Sequence, residues 1–372
     1  MSKMPEATGP SALRDPHPAG RATIFGLQGL RFVAAAMVVM THTLNREVTF
    51  YGSAVPRADW MSAGVDIFFV ISGFIMVYII TPETRPGPFW LQRFTRIAPL
   101  YWVATAIAFI GGLVLPDWFF GRQDFWFALR SALFLPMGDT TDTHPIISPG
   151  WTLVYEFGFY TLLTLCMFLR RPPFRLAAAI IAIYVAFGMA DVALGGPMAV
   201  AFYADYVLMF EFLYGMAAAA VVARLPLGPW QGLVLAAVGL ALIPCTWYTP
   251  YYSLRGIAVG LPAFLVVIGV LASEPLWQRN RAMLWFARLG DASYSIYIVH
   301  FFFVTALATL VRNSPFVRDA LGPYGFIALS MVLGLGSGIL AHIYIERPLL
   351  ALVRGWLPRH RPHSALATPA KV

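Results

Sequence analysis

Apolar residues run along this chain in long blocks, with no strict alternation of apolar and polar positions. A helix rising 1.5 Å per residue needs roughly 20 apolar residues to cross a bilayer. Blocks close to that length predict spans at 24–44, 63–80, 97–115, 151–169, 176–194, 203–223, 230–247, 256–272, 292–310 and 323–344. A shorter block at 124–136 is interrupted by Arg130 and reads as an interfacial or re-entrant helix. Turn residues separate the blocks at Pro172-Pro173, Pro226, Pro250 and Gly322-Pro323. The expected fold class is all-α, a polytopic integral membrane helical bundle of about 10 transmembrane helices. Residues 1–22 lack an apolar core long enough for a signal peptide. They are expected to form a disordered cytoplasmic N-terminal tail. The transmembrane domain is expected over 23–350, followed by a basic cytoplasmic C-terminal tail over 351–372.

Composition narrows the class. Of 372 residues, 59% are hydrophobic and 12% charged, with a mean hydropathy of +0.69. A soluble domain carries about 25% charged residues, so a soluble enzyme, a disordered chain and a coiled coil are excluded. A transmembrane barrel would alternate and be less apolar. The net charge of +8 would suggest nucleic acid on a soluble protein. Here it sorts by side: 18 of the 26 basic residues fall in one set of loops and tails and 7 in the other. That bias places both termini in the cytoplasm of a multi-pass inner-membrane protein, and no nucleic acid partner is expected. Cys166 and Cys245 read as small hydrophobes; two cysteines make neither a disulfide framework nor a metal box.

Ionisable groups inside spans are costly and tend to mark function. The predicted spans contain Arg31, His42, Asp66, Glu156, Asp205, Glu211 and His300. Arg31 and His42 are eleven residues apart, which at about 100° per residue returns to the same helix face about 16 Å along. Arg31 would lie toward the cytoplasm and His42 near the outer end; snorkelling and an interfacial histidine are the plain alternatives. Asp66 sits near the outer end of the second span, close to Ser72 and Gly73, small residues that permit helix contact. Arg93 and Arg96 share a face at a cytoplasmic mouth. Two guanidinium groups there suit a phosphate ligand, or simply anchor to anionic lipid. Glu156 follows Trp151 by about one turn and has no cation near it in sequence, so it needs a partner or a proton. His42, at similar depth, is the candidate partner; a neutral glutamate joining two helices is the alternative. Ser293, Tyr297 and His300 share a polar face on the ninth span, and a satisfied structural histidine is the plainer reading of His300.

These segments, in this order, resemble the acyltransferase-3 family of polytopic membrane O-acyltransferases. The resemblance rests on Gly29-Leu30-Arg31 with His42, on residues 64–74, and on Arg93-Phe94-Thr95-Arg96. It continues through residues 151–160, residues 293–300 and Tyr344-Ile345-Glu346-Arg347-Pro348. It covers residues 24 to 350. The resemblance implies an acyl-CoA co-substrate, acetyl-CoA by default, used from the cytoplasmic side, and no permanently bound cofactor. It implies an acceptor hydroxyl on a carbohydrate, a lipid-linked sugar or a glycoside. It puts Arg31, Arg93 and Arg96 at the donor. Where the family often has two consecutive glutamates, this chain has Glu156 and Phe157, which places the full weight on Glu156. Members also occur with an extracytoplasmic hydrolase-like domain; this chain stops after its last span and is expected to act alone or with a separate partner.

The expected chemistry follows. An alcohol attacks a thioester only as its proton is removed, and histidine suits that task. His42 is assigned as general base and Glu156 as the group that orients its imidazole. Asp66, Trp151, Tyr297 and His300 are expected as substrate-binding or structural polar residues, and no metal site is expected. A covalent acyl-enzyme on His or Tyr is a further route. The rival class is a transporter or flippase of a sugar or lipid-linked intermediate, which also carries intramembrane charge; no inverted repeat supports it.

Overall fold

The computed structural model describes residues 23–52, 55–115, 124–136, 144–169, 172–193, 208–247 and 255–356. The tails expected at 1–22 and beyond 356, and Asp205, lie outside the described residues. Thirteen helices carry the architecture: α1 Phe25–Tyr51, α2 Gly64–Ile79, α3 Pro86–Val114, α4 Phe125–Ala132, α5 Trp151–Leu169, α6 Phe174–Ala193, α7 Met209–Arg224, α8 Pro229–Thr246, α9 Gly260–Ala272, α10 Arg281–Leu289, α11 Ser293–Asn313, α12 Pro315–Ala341 and α13 Arg347–Trp356. Shorter helical turns link some of them, and no strand occurs among the described residues.

Helices occupy all ten expected positions. Among the described residues, eight helical stretches are long and apolar enough to cross a membrane. The other two positions are α6, whose apolar part Phe174–Ala190 is shorter, and α7, which has 16 residues. The expected interfacial segment is the two-turn helix α4, capped by Asp124 accepting from the Phe127 N–H at 2.8 Å. Ile107, Ile110, Leu113 and Val114 of α3 and Ile183 and Phe187 of α6 are exposed. Apolar groups turned outward suit a lipid-facing surface, because the backbone polar groups are already satisfied within each helix.

Several boundaries differ from the sequence expectation, and two of them bear on the site. α3 begins at Pro86, eleven residues before the expected start at 97; proline in the first turn loses no intrahelical bond. Arg93 and Arg96 therefore stand on the helix itself. At the other end, Gly322-Pro323 is a kink inside α12 where a loop was expected. Gly322 has φ 59° and ψ 179°, a backbone shape that glycine adopts freely. After α12, the five residues His342–Glu346 form a π-turn that leads into α13. Helix α13 then covers residues 351–356 of the expected tail.

The bundle closes around α2, which packs on α7 and α1. A Cβ added to Gly73 would lie 2.3 Å from the Phe212 carbonyl oxygen, and one on Gly215 would lie 2.1 Å from that of Val70. The two backbones touch only because both side chains are absent. α11 packs on α12 and on α1, which brings the polar face of the ninth span against the first.

Candidate active site

A cavity of about 1200 Å³ opens at the end of the bundle that carries the N-terminus of α1. Pockets for drug-sized ligands run at about 300–1,000 Å³, so this one is large enough for an extended ligand. α1 contributes Gln28 and Arg31, α3 Arg93 and Arg96, α5 Thr152, Glu156 and Tyr160, and α11 Tyr294 and Tyr297. Arg288, Arg347 and Arg354 line it as well. Among the described lining residues, six arginines face two carboxylates, Glu156 and Asp291. A wall of that sign draws anions, and guanidinium groups match phosphate geometry.

The three expected arginines meet in this cavity but are held differently. Arg31 Nη1 donates to Gln28 Oε1 at 3.1 Å, one turn earlier on α1. Arg96 Nη1 donates to Glu346 Oε1 at 2.6 Å. Glu346 is buried in the π-turn, accepts from Ser295 Oγ at 2.6 Å, and lies 2.8 Å from His342 Nδ1. Arg93 Nε is buried and has no hydrogen-bond partner among the described residues. The paired arginines of the sequence thus divide into one tied to protein and one with an open donor.

Glu156 sits on the cavity wall. It accepts from Ser72 Oγ at 3.1 Å and from the Tyr160 hydroxyl one turn on. It lies close enough to Arg31 and Arg93 to attract both. The expected pairing of Glu156 with His42 is not what the fold builds. α5 turns this carboxylate toward α2 and the arginines.

Asp66 is fully buried and paired with Arg255, with Oδ2 2.8 Å from Nη2 and Oδ1 3.2 Å from Nε. The Arg255 guanidinium also lies 4.6 Å above the Trp247 ring. A desolvated bidentate pair of this kind locks helices together, and Asp66 does not face the cavity. Trp151 packs edge-on against Tyr155 at 5.9 Å and His144 at 6.4 Å, at the end of α5 away from the arginines. The Tyr297 hydroxyl donates to the Pro149 carbonyl at 2.9 Å and lies 2.7 Å from Thr152 Oγ1.

Thr152 and Tyr297 belong to the cavity lining, together with Val65 and Phe68 of α2. One turn beyond Tyr297 on α11 is His300, whose ring centroid is 6.4 Å from that of Tyr297. The His42 ring lies 5.3 Å from His300 and 5.9 Å from Phe301. Arg31 lines the cavity, whereas His42, predicted on the same helix face, is not among its lining residues and lies against His300. Sequence reasoning missed the mutual contact of the two histidines, and it gave no task to Glu346, Arg288 or Arg354. A carboxylate in Tyr344-Ile345-Glu346-Arg347-Pro348 just past a span was the available signal for Glu346; the π-turn that buries it was not visible.

Comparison with known proteins identifies the family. The family model described as "Acyltransferase domain", the acyltransferase-3 family, matches residues 24–343. The chain is 32% identical over 303 residues to the exopolysaccharide production protein ExoZ of Rhizobium meliloti, covering 78% of this chain and 89% of that protein. It is 27% identical over 379 residues to the acyltransferase MdmB of Streptomyces mycarofaciens, covering 92% and 95%. No solved structure matches it. With its membrane-length helices and a family match across nearly the whole bundle, the chain belongs to the acyltransferase-3 family and is a multi-pass membrane acyltransferase.

Proposed function

We propose that the protein transfers an acyl group, acetyl by default, from acyl-CoA to a hydroxyl of a carbohydrate or glycoside acceptor. The observation that carries this reading is the arginine-lined cavity of about 1200 Å³ at the N-terminal end of α1. The 18-to-7 split of basic residues supports a cytoplasmic side for that end, where acyl-CoA is found. Phosphates of the donor are held by Arg93 and Arg31, with Arg96 adding the donors that Glu346 leaves unused; a guanidinium has five N–H groups. The pantetheine arm runs inward toward Tyr297. His42 takes the proton of the acceptor hydroxyl as its oxygen attacks the thioester carbonyl, and returns a proton to the departing thiolate. Glu156 holds the arginines and Tyr160 in place on the donor side. The carbohydrate acceptor is supported by the likeness to a protein named for exopolysaccharide production.

The test has two arms. Titration of acetyl-CoA into purified protein is expected to give saturable binding that Arg93→Ala weakens. Mass spectrometry of surface glycans and glycolipids, with and without the gene, is expected to show the loss of an acyl mass. His42→Ala is expected to abolish that mass without abolishing binding. Movement of a sugar across vesicles with no acetyl-CoA consumed would mark a transporter and overturn the reading.

A further inference from the structure

His300 is fully buried. Its Nδ1 lies 2.9 Å from the Ile296 carbonyl oxygen one turn back on α11. A carbonyl oxygen can only accept, so Nδ1 carries the proton and Nε2 keeps its lone pair. Nε2 is itself buried and has no hydrogen-bond partner among the described residues. An acceptor left unmade in such a place is costly and calls for an explanation.

One polar ring stands beside it. The His42 centroid is 5.3 Å away with the planes tilted by 42°. The rings are neighbours with no hydrogen bond between them in this structure, and such a bond needs the His42 ring to turn a nitrogen toward Nε2. Nearby groups include Val39 of α1, Gly334 of α12, Val304 one turn on, and the Tyr297 ring. The ionisable groups that bear most on His42 are His300, Arg46 and His144, none of them an acid. The carboxylate that orients a catalytic histidine in a triad thus has no counterpart in Glu156, which is engaged on the cavity wall.

We propose that His300 is the positioning residue of His42, its Nε2 accepting the N–H of the His42 imidazole. The order is Ile296 carbonyl, His300 Nδ1–H, His300 Nε2, His42 N–H. A hydrogen bond to one ring nitrogen fixes which of the two carries the proton. The other His42 nitrogen is then left as the free base that faces the acceptor. When His42 takes the hydroxyl proton, the new O–C bond forms, the C–S bond breaks, and the thiolate leaves as thiol with that proton. His300 accepts from His42 throughout and gains no proton itself. This rests on the assignment of His42 as base.

The experiment compares His300→Phe, which keeps a ring without an acceptor, with His300→Gln, whose amide oxygen can replace Nε2. Each is made in wild type and in His42→Ala. Two quantities are read at equal protein level: acetyl-CoA affinity of the purified protein, and the acyl mass on surface carbohydrate in cells lacking the native gene. His300→Phe is expected to leave the affinity within twofold and to lower the product at least tenfold. His300→Gln is expected to restore a third or more of it. His300→Phe is expected to cost nothing further in His42→Ala, because a positioning residue has no effect once its client is gone. Product within twofold of wild type in His300→Phe would overturn the proposal. So would equal loss in the Phe and Gln variants, or a fall in affinity together with product, which would make His300 a packing residue. Full product in His42→Ala would instead overturn the base assignment, and is read separately.

Discussion

Arg96 Nη1 lies 2.6 Å from Glu346 Oε1, across 250 positions of sequence. The carboxylate is 1% exposed and the arginine 31%. Removing one partner from a fully buried pair costs about 3–5 kcal/mol, and less where one partner reaches solvent. Glu346→Ala is expected to lower the thermal unfolding temperature in detergent. Glu346→Gln keeps neutral hydrogen bonding to Ser295 and is expected to lower it less. Identical melting of wild type and Glu346→Ala would refute a stabilising role.

The same pair separates the two arginines of α3. Arg93 has an open, buried Nε, whereas Arg96 is already engaged. A charge-assisted hydrogen bond is worth about 1.5–3 kcal/mol, which is roughly a 10- to 100-fold change in affinity. Arg93→Ala is expected to weaken acetyl-CoA binding by that factor with little change in melting. Arg96→Ala is expected to lower melting more and affinity less. Calorimetric titration beside a melting curve reads both, and the reverse ranking would sink the division.

Asp66 and Arg255 form a desolvated pair outside the cavity. Asp66→Asn alone is expected to destabilise by about 3 kcal/mol or more, because it leaves a partly buried guanidinium uncompensated. Asp66→Asn with Arg255→Met is expected to recover most of that loss. Activity per folded molecule is expected to stay near wild type in the double variant. A specific loss of acyl transfer in a well-folded double variant would assign Asp66 to the chemistry.

Tyr297 lines the cavity and its ring centroid is 6.4 Å from that of His300, a position from which the ring can act as a wall between the two. Tyr297→Ala removes that wall and is expected to raise release of free thiol from acetyl-CoA in the absence of acceptor. Tyr297→Phe keeps the ring and loses the hydroxyl contacts to Pro149 and Thr152, costing about 1 kcal/mol of stability. It is expected to leave acceptor-free release at the wild-type level. A thiol-reactive dye assay measures both; equal release from the Ala and Phe variants would remove the barrier role.

Much of the bundle could be read along the chain. The ten apolar blocks recur as helices, and the small residues Ser72-Gly73 mark a close crossing that α7 answers with Gly215. Arg31, Arg93 and Arg96 do meet in one cavity. They could be found because same-face spacing on a helix and the depth of a charge along a span are local properties. The partners could not. Glu156 was expected beside His42 because the two share a depth, yet depth leaves the rotation of each helix undetermined. α5 aims Glu156 at Ser72 and Tyr160, and α11 delivers His300 to His42.

The sequence by itself determined the class of protein, the order of the apolar helices, and which ionisable side chains fall within them. Those follow from hydrophobic periodicity, which acts over a few turns. Only the tertiary structure decided which of those groups touch. Arg96 finds Glu346 through a π-turn, Asp66 finds Arg255, and His42 finds His300 through the packing of α11 on α1. Each contact depends on how one helix is rotated and crossed against another, where backbones come as close as Gly73 and Gly215 allow. That is a property of the packed bundle, carried by residues far apart in the chain.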